Sequence, residues 1–290
     1  PVSMTSFAET SIEGHTTVSA MAIDTNDDTL QQTWAAGGTA LGGWLSLGSS
    51  FAAETTARLG FEYVCIDMQH GLAELRDVEH GLRAISGRGP TPIVRVPWNE
   101  PGIIGRALDL GALGVIIPMV NSPEEAAAAV AACRYAPQGH RSVGPIVPAQ
   151  RYGANSRVAC IPMIETDVAV SRIDEILAVP GIDAVYIGPA DLSATLGLPP
   201  STDQTDPRFD DALATVVDSC RRHGVVPGIH ATAALAGKRH RQGFRMITVS
   251  MDTVAMVTGI RTDHATARAA LGDRSLDPAG PAGPSSPYGP

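Results

Sequence analysis

The chain has 290 residues, 44% of them hydrophobic, which is enough apolar material for one barrel-sized domain or two smaller ones. A formal net charge of −9 without any basic cluster argues against nucleic acid or an anionic membrane as a partner. No apolar stretch approaches the roughly 20 residues that a membrane span requires and no signal peptide is visible, so the expected location is the cytoplasm.

Residues 1–28 are rich in Ser, Thr, Asp and Glu without sustained periodicity and read as a loose N-terminal extension. Apolar runs suited to buried parallel strands then recur near 41–47, 62–67, 92–96, 114–117, 158–164, 183–187, 225–229 and 245–249. Helical patterns separate most of them. Ser122-Pro123-Glu124-Glu125 places an N-cap serine and a first-turn proline ahead of an alanine-rich helix. Asp167 opens a helix with Val170, Ile173, Ile176 and Leu177 facing inward. Asp206-Pro207 opens another, with Phe209, Leu213, Val216, Val217 and Cys220 on one face, and Gly224 closes it. Residues 273–290 are rich in Pro, Gly and Ser and read as a flexible tail.

Eight strands alternating with helices over residues 29–272 predict an α/β fold, a (β/α)8 TIM barrel in a single domain. A doubly wound open sheet is the runner-up; it is weakened because Gly48-Ser49-Ser50-Phe51, after the first strand, lacks a glycine-rich phosphate fingerprint.

Barrel enzymes build their sites at the C-terminal ends of the strands. There the sequence offers Asp67-Met68-Gln69-His70-Gly71, Arg95 in Val94-Arg95-Val96-Pro97, Glu165, and Asp191 in Gly188-Pro189-Ala190-Asp191-Leu192-Ser193. Glu165 and Asp191 end neighbouring parallel strands spaced about 4.8 Å apart, so both can reach one cation, and oxygen donors favour a hard ion over zinc. A plainer account, in which Glu165 caps the next helix and Asp191 makes a turn, is equally open on spacing alone.

Cys65, Cys133, Cys160 and Cys220 lie in apolar runs without CxxC spacing and read as reduced core residues. The single lysine, Lys238, falls in the polar run Lys238-Arg239-His240-Arg241. A Schiff-base enzyme needs a desolvated lysine, and this one is expected to be solvated. His15, His80, His223, His240 and His264 read as ordinary surface or core residues, while His140, Arg141 and His230 are left without a role.

The order of the segments Asp67–Gly71, Val94–Pro101, Ala107–Ala112, Ile117–Val120, Ile164–Thr166 and Gly188–Ser193 resembles the HpcH/HpaI family of class II pyruvate aldolases across roughly 41–260. The resemblance implies that Glu165 and Asp191 hold a divalent metal, Mg2+, Mn2+ or Co2+, which chelates pyruvate. It implies that Arg95 steadies the enolate and that His70 moves a proton. Asp109 would orient a histidine across a subunit interface, backbone amides in the stretch Gly188, Pro189, Ala190 and Asp191 would receive the substrate carboxylate, and Trp44 would stand beside the site. It further implies a homohexamer built as a trimer of dimers, acting on a small keto acid and an aldehyde.

Two departures bear on the choice of substrate. Met163 stands where many members carry glutamine, and the segment 141–158, expected to border the aldehyde side of the pocket, is short. The reading is therefore a metal-dependent aldolase cleaving a 4-hydroxy-2-keto acid. Oxaloacetate decarboxylation with enolate capture, as in macrophomate synthase, is the alternative, and a non-catalytic ligand-binding barrel comes after it.

Overall fold

The computed structural model describes residues 29–144 and 158–272. The N-terminal extension, the tail and positions 145–157 of the short segment lie outside the described residues. Eight strands run through the fold: β1 (Ala40–Leu45), β2 (Tyr63–Asp67), β3 (Thr91–Arg95), β4 (Gly114–Ile117), β5 (Ala159–Pro162), β6 (Ala184–Ile187), β7 (Val226–His230) and β8 (Met246–Met251). Each boundary falls within two residues of the run that predicted it.

The sheet order is β5-β4-β3-β2-β1-β8-β7-β6, with the first strand paired to the last. Its two ends then meet. Met163 bridges to Tyr186, the Ile164 N–H donates to the Tyr186 carbonyl at 2.9 Å and the Asp183 N–H to the Cys160 carbonyl at 3.1 Å. The molecule is a single-domain (β/α)8 barrel closed by a sparsely bonded seam between β5 and β6, and the open-sheet alternative is excluded.

The helices are α1 (Thr29–Ala35), α2 (Ser50–Ala57), α3 (Leu75–Ile85), α4 (Pro101–Asp109), α5 (Pro123–Cys133), α6 (Asp167–Ser171), α7 (Ile173–Leu177), α8 (Pro189–Thr195), α9 (Pro207–His223), α10 (Ala236–Gln242) and α11 (Asp252–Ala270). The Ser122 hydroxyl accepts from the Glu125 N–H at 3.1 Å, Asp206 accepts from the Arg208 N–H at 2.9 Å, and Gly224 closes α9 at φ 69°, where a Cβ would be strained. The helix expected from Asp167 is two short ones, because Arg172 leaves helical geometry between α6 and α7.

Strand parity sorts the core into two layers. Tyr63 and Cys65 of β2, Ala159 and Ile161 of β5, and Ala184 and Tyr186 of β6 pack together inside the barrel. The alternating residues Val64, Ile66, Cys160, Val185 and Ile187 face the helices. Continuing that parity to the strand ends aims Asp67, Arg95 and Glu165 at the barrel axis rather than at the helices. The four cysteines are free and buried.

One helix does not share in this core. All 19 residues of α11 escape burial, and Val254, Met256, Val257 and Ile260 are exposed on it. Its start is tied down, since Asp252 accepts from the Ser46 and Leu47 N–H groups at 2.9 and 3.1 Å.

Candidate active site

Two buried carboxylates face each other's half of the barrel mouth. On the β2–β3 side, Asp67 and Arg95 are register partners, 1% and 5% exposed, and pair through both oxygens: Nε to Oδ1 at 2.8 Å and Nη2 to Oδ2 at 2.6 Å. Burial pushes the Asp67 carboxyl up, but the Arg95 guanidinium overrides this and holds it below its ordinary value. Asp67 also accepts from the Gln69 and His70 N–H groups at 3.0 and 3.3 Å and from the Trp44 indole N–H at 3.2 Å. A single carboxylate thus fixes Arg95, the turn that presents the exposed His70, and Trp44.

Trp44 lies beneath Arg95, its ring 4.9 Å from the guanidinium carbon, stacked on Tyr186 at 5.6 Å and edge-on to His230 at 5.1 Å. It is 1% exposed, so it forms floor rather than open wall. Below it the Tyr63 and Tyr186 hydroxyls share Thr248 Oγ1 at 2.8 and 2.6 Å, and Tyr186 reaches His230 Nδ1 at 3.3 Å. Burial drives the His230 imidazole down to about 4, so it is neutral at pH 7.

On the β5–β6 side, Glu165 is 2% exposed and makes one hydrogen bond among the described residues, accepting at Oε1 from the Met119 N–H at 2.8 Å. Burial pushes its carboxyl up to about 7; the Met119 amide opposes this and the neighbouring Asp191 charge adds to it. Met163, on the inner face below, is buried and supplies an apolar floor instead of a polar contact. Gly188 is required here, because a Cβ at that position would sit 2.4 Å from Glu165 Oε2. Thr166, not Glu165, caps α6, its Oγ1 accepting from the Ala169 N–H at 3.0 Å, which leaves the glutamate free of the capping role.

Asp191 stands exposed in the first turn of α8. The N–H groups of Ala190 and Asp191 at that helix start make no hydrogen bond among the described residues, and the proline at 189 has none to offer. Met119 is the only non-glycine residue with positive φ among the described residues, at 57°, a conformation that costs about 1–3 kcal/mol and concentrates at functional sites.

The donor set fits a hard cation. Glu165 is a buried carboxylate with no salt bridge among the described residues, its Oε2 is uncommitted, and Asp191 lies close enough to raise its proton affinity. No cluster of three His, Cys, Asp or Glu exists among the described residues, so such an ion would draw its other ligands from substrate and water.

Two expected members stand elsewhere within the chain. Asp109 is the last residue of α4, which runs back away from the mouth, and it pairs with Arg141 at 2.7 Å. The described ends of the short segment lie on that side too, with Arg141 on Asp109 and the Val158 carbonyl accepting from Arg134 just before β5, while positions 145–157, which make up most of it, lie outside the described residues. Lys238 is 35% exposed and ion-paired with Asp203 at 2.8 Å, so it does not sit in the desolvated pocket a Schiff base requires. Asp67 escaped notice as a functional residue in its own right, although its parity on β2 and its position across from Arg95 were readable.

Residues 41–258 match the family model of the HpcH/HpaI aldolase/citrate lyase. The chain is 39% identical over 230 residues to 2-dehydro-3,6-dideoxy-6-sulfogluconate aldolase of Pseudomonas putida, covering 75% of this chain and 88% of that protein. It is 40% identical over 243 residues to hydroxypyruvate/pyruvate aldolase of Rhizorhabdus wittichii, covering 81% and 97%. Among solved structures, an HpcH/HpaI aldolase/citrate lyase family protein from Burkholderia cenocepacia superimposes with a TM-score of 0.77 at 35% identity, over 83% of this chain and 99% of that one. With a family match over most of its length and aldolases at such identity, the chain belongs to the HpcH/HpaI aldolase/citrate lyase family and is a lyase of the aldolase type.

Proposed function

We propose that the protein is a metal-dependent pyruvate aldolase that reversibly cleaves a 4-hydroxy-2-keto acid into pyruvate and an aldehyde at the barrel mouth. The observation that carries this reading is Glu165, a buried carboxylate with no ion pair among the described residues, set beside Asp191 and within range of the charge of a rigidly held Arg95. Glu165 and Asp191 would hold Mg2+, Mn2+ or Co2+, and the ion would supply Lewis acidity at the substrate's keto oxygen.

The chain's own residues account for the rest. As the C3–C4 bond breaks, its electron pair passes to C3 and delocalises onto the keto oxygen, and Arg95, immobilised by Asp67, places positive charge where that negative charge grows. The uncommitted N–H groups of Ala190 and Asp191 suit the substrate carboxylate. His70, exposed at the rim, is placed to take the C4 hydroxyl proton, directly or through water. Trp44 acts by supporting Arg95 from below. Lys238, engaged by Asp203, is not available for a Schiff base.

Self-association belongs to the same proposal. A 19-residue helix with no buried residue and an apolar stripe of Val254, Val257 and Ile260 is suited to packing on another copy, and a trimer-of-dimers hexamer would also bring Asp109 to a neighbour's site. The cytoplasm is the compartment that suits four free, buried cysteines, and among the described residues no helix is long and apolar enough to cross a membrane.

The deciding assay supplies pyruvate with Mg2+, Mn2+ or Co2+ and a panel of aldehydes, with and without chelator. Metal-dependent formation of 4-hydroxy-2-keto acids is expected. Full activity after metal removal, or borohydride trapping of pyruvate on Lys238, would refute the mechanism. Adding oxaloacetate to the same mixtures separates cleavage from decarboxylation with enolate capture.

A further inference from the structure

We propose that Asn121 is a positioning residue that sets how Glu165 presents itself to a cation, an inference that rests on Glu165 being a metal ligand. Its carboxamide joins two loops at the barrel mouth. The Nδ2 group donates to the Met119 carbonyl at 2.9 Å, and Oδ1 accepts from the Thr166 hydroxyl, one residue beyond Glu165. The Asn121 N–H is itself held by Glu125 Oε2 at 2.6 Å, from the first turn of α5.

The effect is to trap the turn after β4 in the left-handed conformation seen at Met119, φ 57°. A methionine has no intrinsic preference for that region, so something outside the residue must hold it there. In that conformation the Met119 N–H points at Glu165 Oε1 at 2.8 Å. The other oxygen, Oε2, is left toward Gly188, where no side chain can intrude. Asn121 thereby divides the labour of the two oxygens, committing one to the protein and reserving the other for the ion, without touching the ion itself. Groups that orient a metal ligand in this way commonly control affinity by about 10–100-fold.

The test measures binding of Mn2+ alone, from the free-ion electron paramagnetic resonance signal, together with the thermal midpoint of the metal-free protein. Wild-type protein is expected to bind Mn2+ and Glu165→Gln to lose it; if wild type takes up none, or Glu165→Gln binds equally well, both the metal reading and this inference fall. With that control in place, Asn121→Ala should weaken Mn2+ binding by about 10–100-fold, and it retains the backbone tie to Glu125. Thr166→Val, which removes the hydroxyl that meets Oδ1, should weaken binding in the same direction, while Thr166→Ser should restore it. A merely structural role would lower the thermal midpoint and leave the affinity alone. Wild-type affinity in Asn121→Ala overturns the inference. Should that variant fail to fold, equal affinities in Thr166→Val and Thr166→Ser overturn it just as clearly.

Discussion

Asp67 and Glu165 are carboxylates of almost equal burial at the mouth of one barrel, yet the protein treats them in opposite ways. Asp67 has a bidentate arginine, an indole N–H and two backbone N–H groups, and its proton affinity is lowered. Glu165 has one backbone N–H and a negative neighbour, and its proton affinity is raised, to about 7. Burial alone therefore decides nothing; the partner set does. The β2–β3 half of the mouth pairs its carboxylate with a cation of the same chain, whereas in the β5–β6 half Glu165 has no ion pair among the described residues.

The largest expected effect comes from removing the incomplete half. Glu165→Ala should lower turnover at least about a thousandfold and abolish Mn2+ uptake together, with the oligomer unchanged by size-exclusion chromatography. Loss of one property without the other would separate the ligand from the chemistry. Asp67→Asn attacks the complete half instead. It leaves Arg95 buried without its counter-charge, at a cost of about 3–5 kcal/mol, or a fall of about 10 °C in the thermal midpoint. A change of only a degree or two would mean that the pair contributes little.

Next in size are the pH effects, which should run in opposite directions. Burial raises Glu165 from 4.5 to about 7 in the metal-free protein, so the stability it contributes is full below pH 4.5 and is lost as pH rises through 7. Burial lowers His230 from 6.5 to about 4, so its contribution is present above pH 6.5 and is lost as pH falls through 4. Each amounts to about 3 kcal/mol, and between pH 4.5 and 6.5 the two nearly cancel. Between pH 4.5 and 6.5, urea denaturation in chelator should show wild type less pH-dependent than either variant, with Glu165→Gln losing stability toward acid and His230→Asn losing it toward neutral pH. Parallel profiles for all three proteins would remove the basis of the comparison.

The smallest change expected is at the rim. His70→Ala should slow carbon–carbon cleavage about a hundredfold while leaving exchange of the pyruvate C3 protons near the wild-type rate. Equal losses in both assays would place His70 in enolisation rather than at the C4 hydroxyl.

The barrel was legible because its signals are local and repeated. Each strand is a short apolar run between turn residues, and the caps at Ser122, Asp206 and Gly224 act over a few positions. Parity then carries Asp67, Arg95 and Glu165 inward with no further information. Met119 was not legible, since its backbone conformation is imposed by Asn121 and by the glutamate from another strand, and its side chain gives no sign of it. The ion pair of Lys238 was not legible, because its partner, Asp203, lies 35 positions away. The unburied face of α11 was equally hidden: its composition is that of an ordinary helix, and only the fold reveals that none of its residues is buried by the described residues.

The seam between β5 and β6 carries a last consequence. Strand pairs elsewhere in the barrel are zipped over three to five registered positions, but here a single registered bridge, Met163 to Tyr186, joins the edges. An ion gripped from both margins would act as a rivet on the weakest joint of the cylinder. Amide hydrogen exchange at Ile164 should then slow sharply when Mn2+ is added, and heat tolerance should track metal occupancy, so that loading the enzyme for catalysis and bracing its wall would be one event.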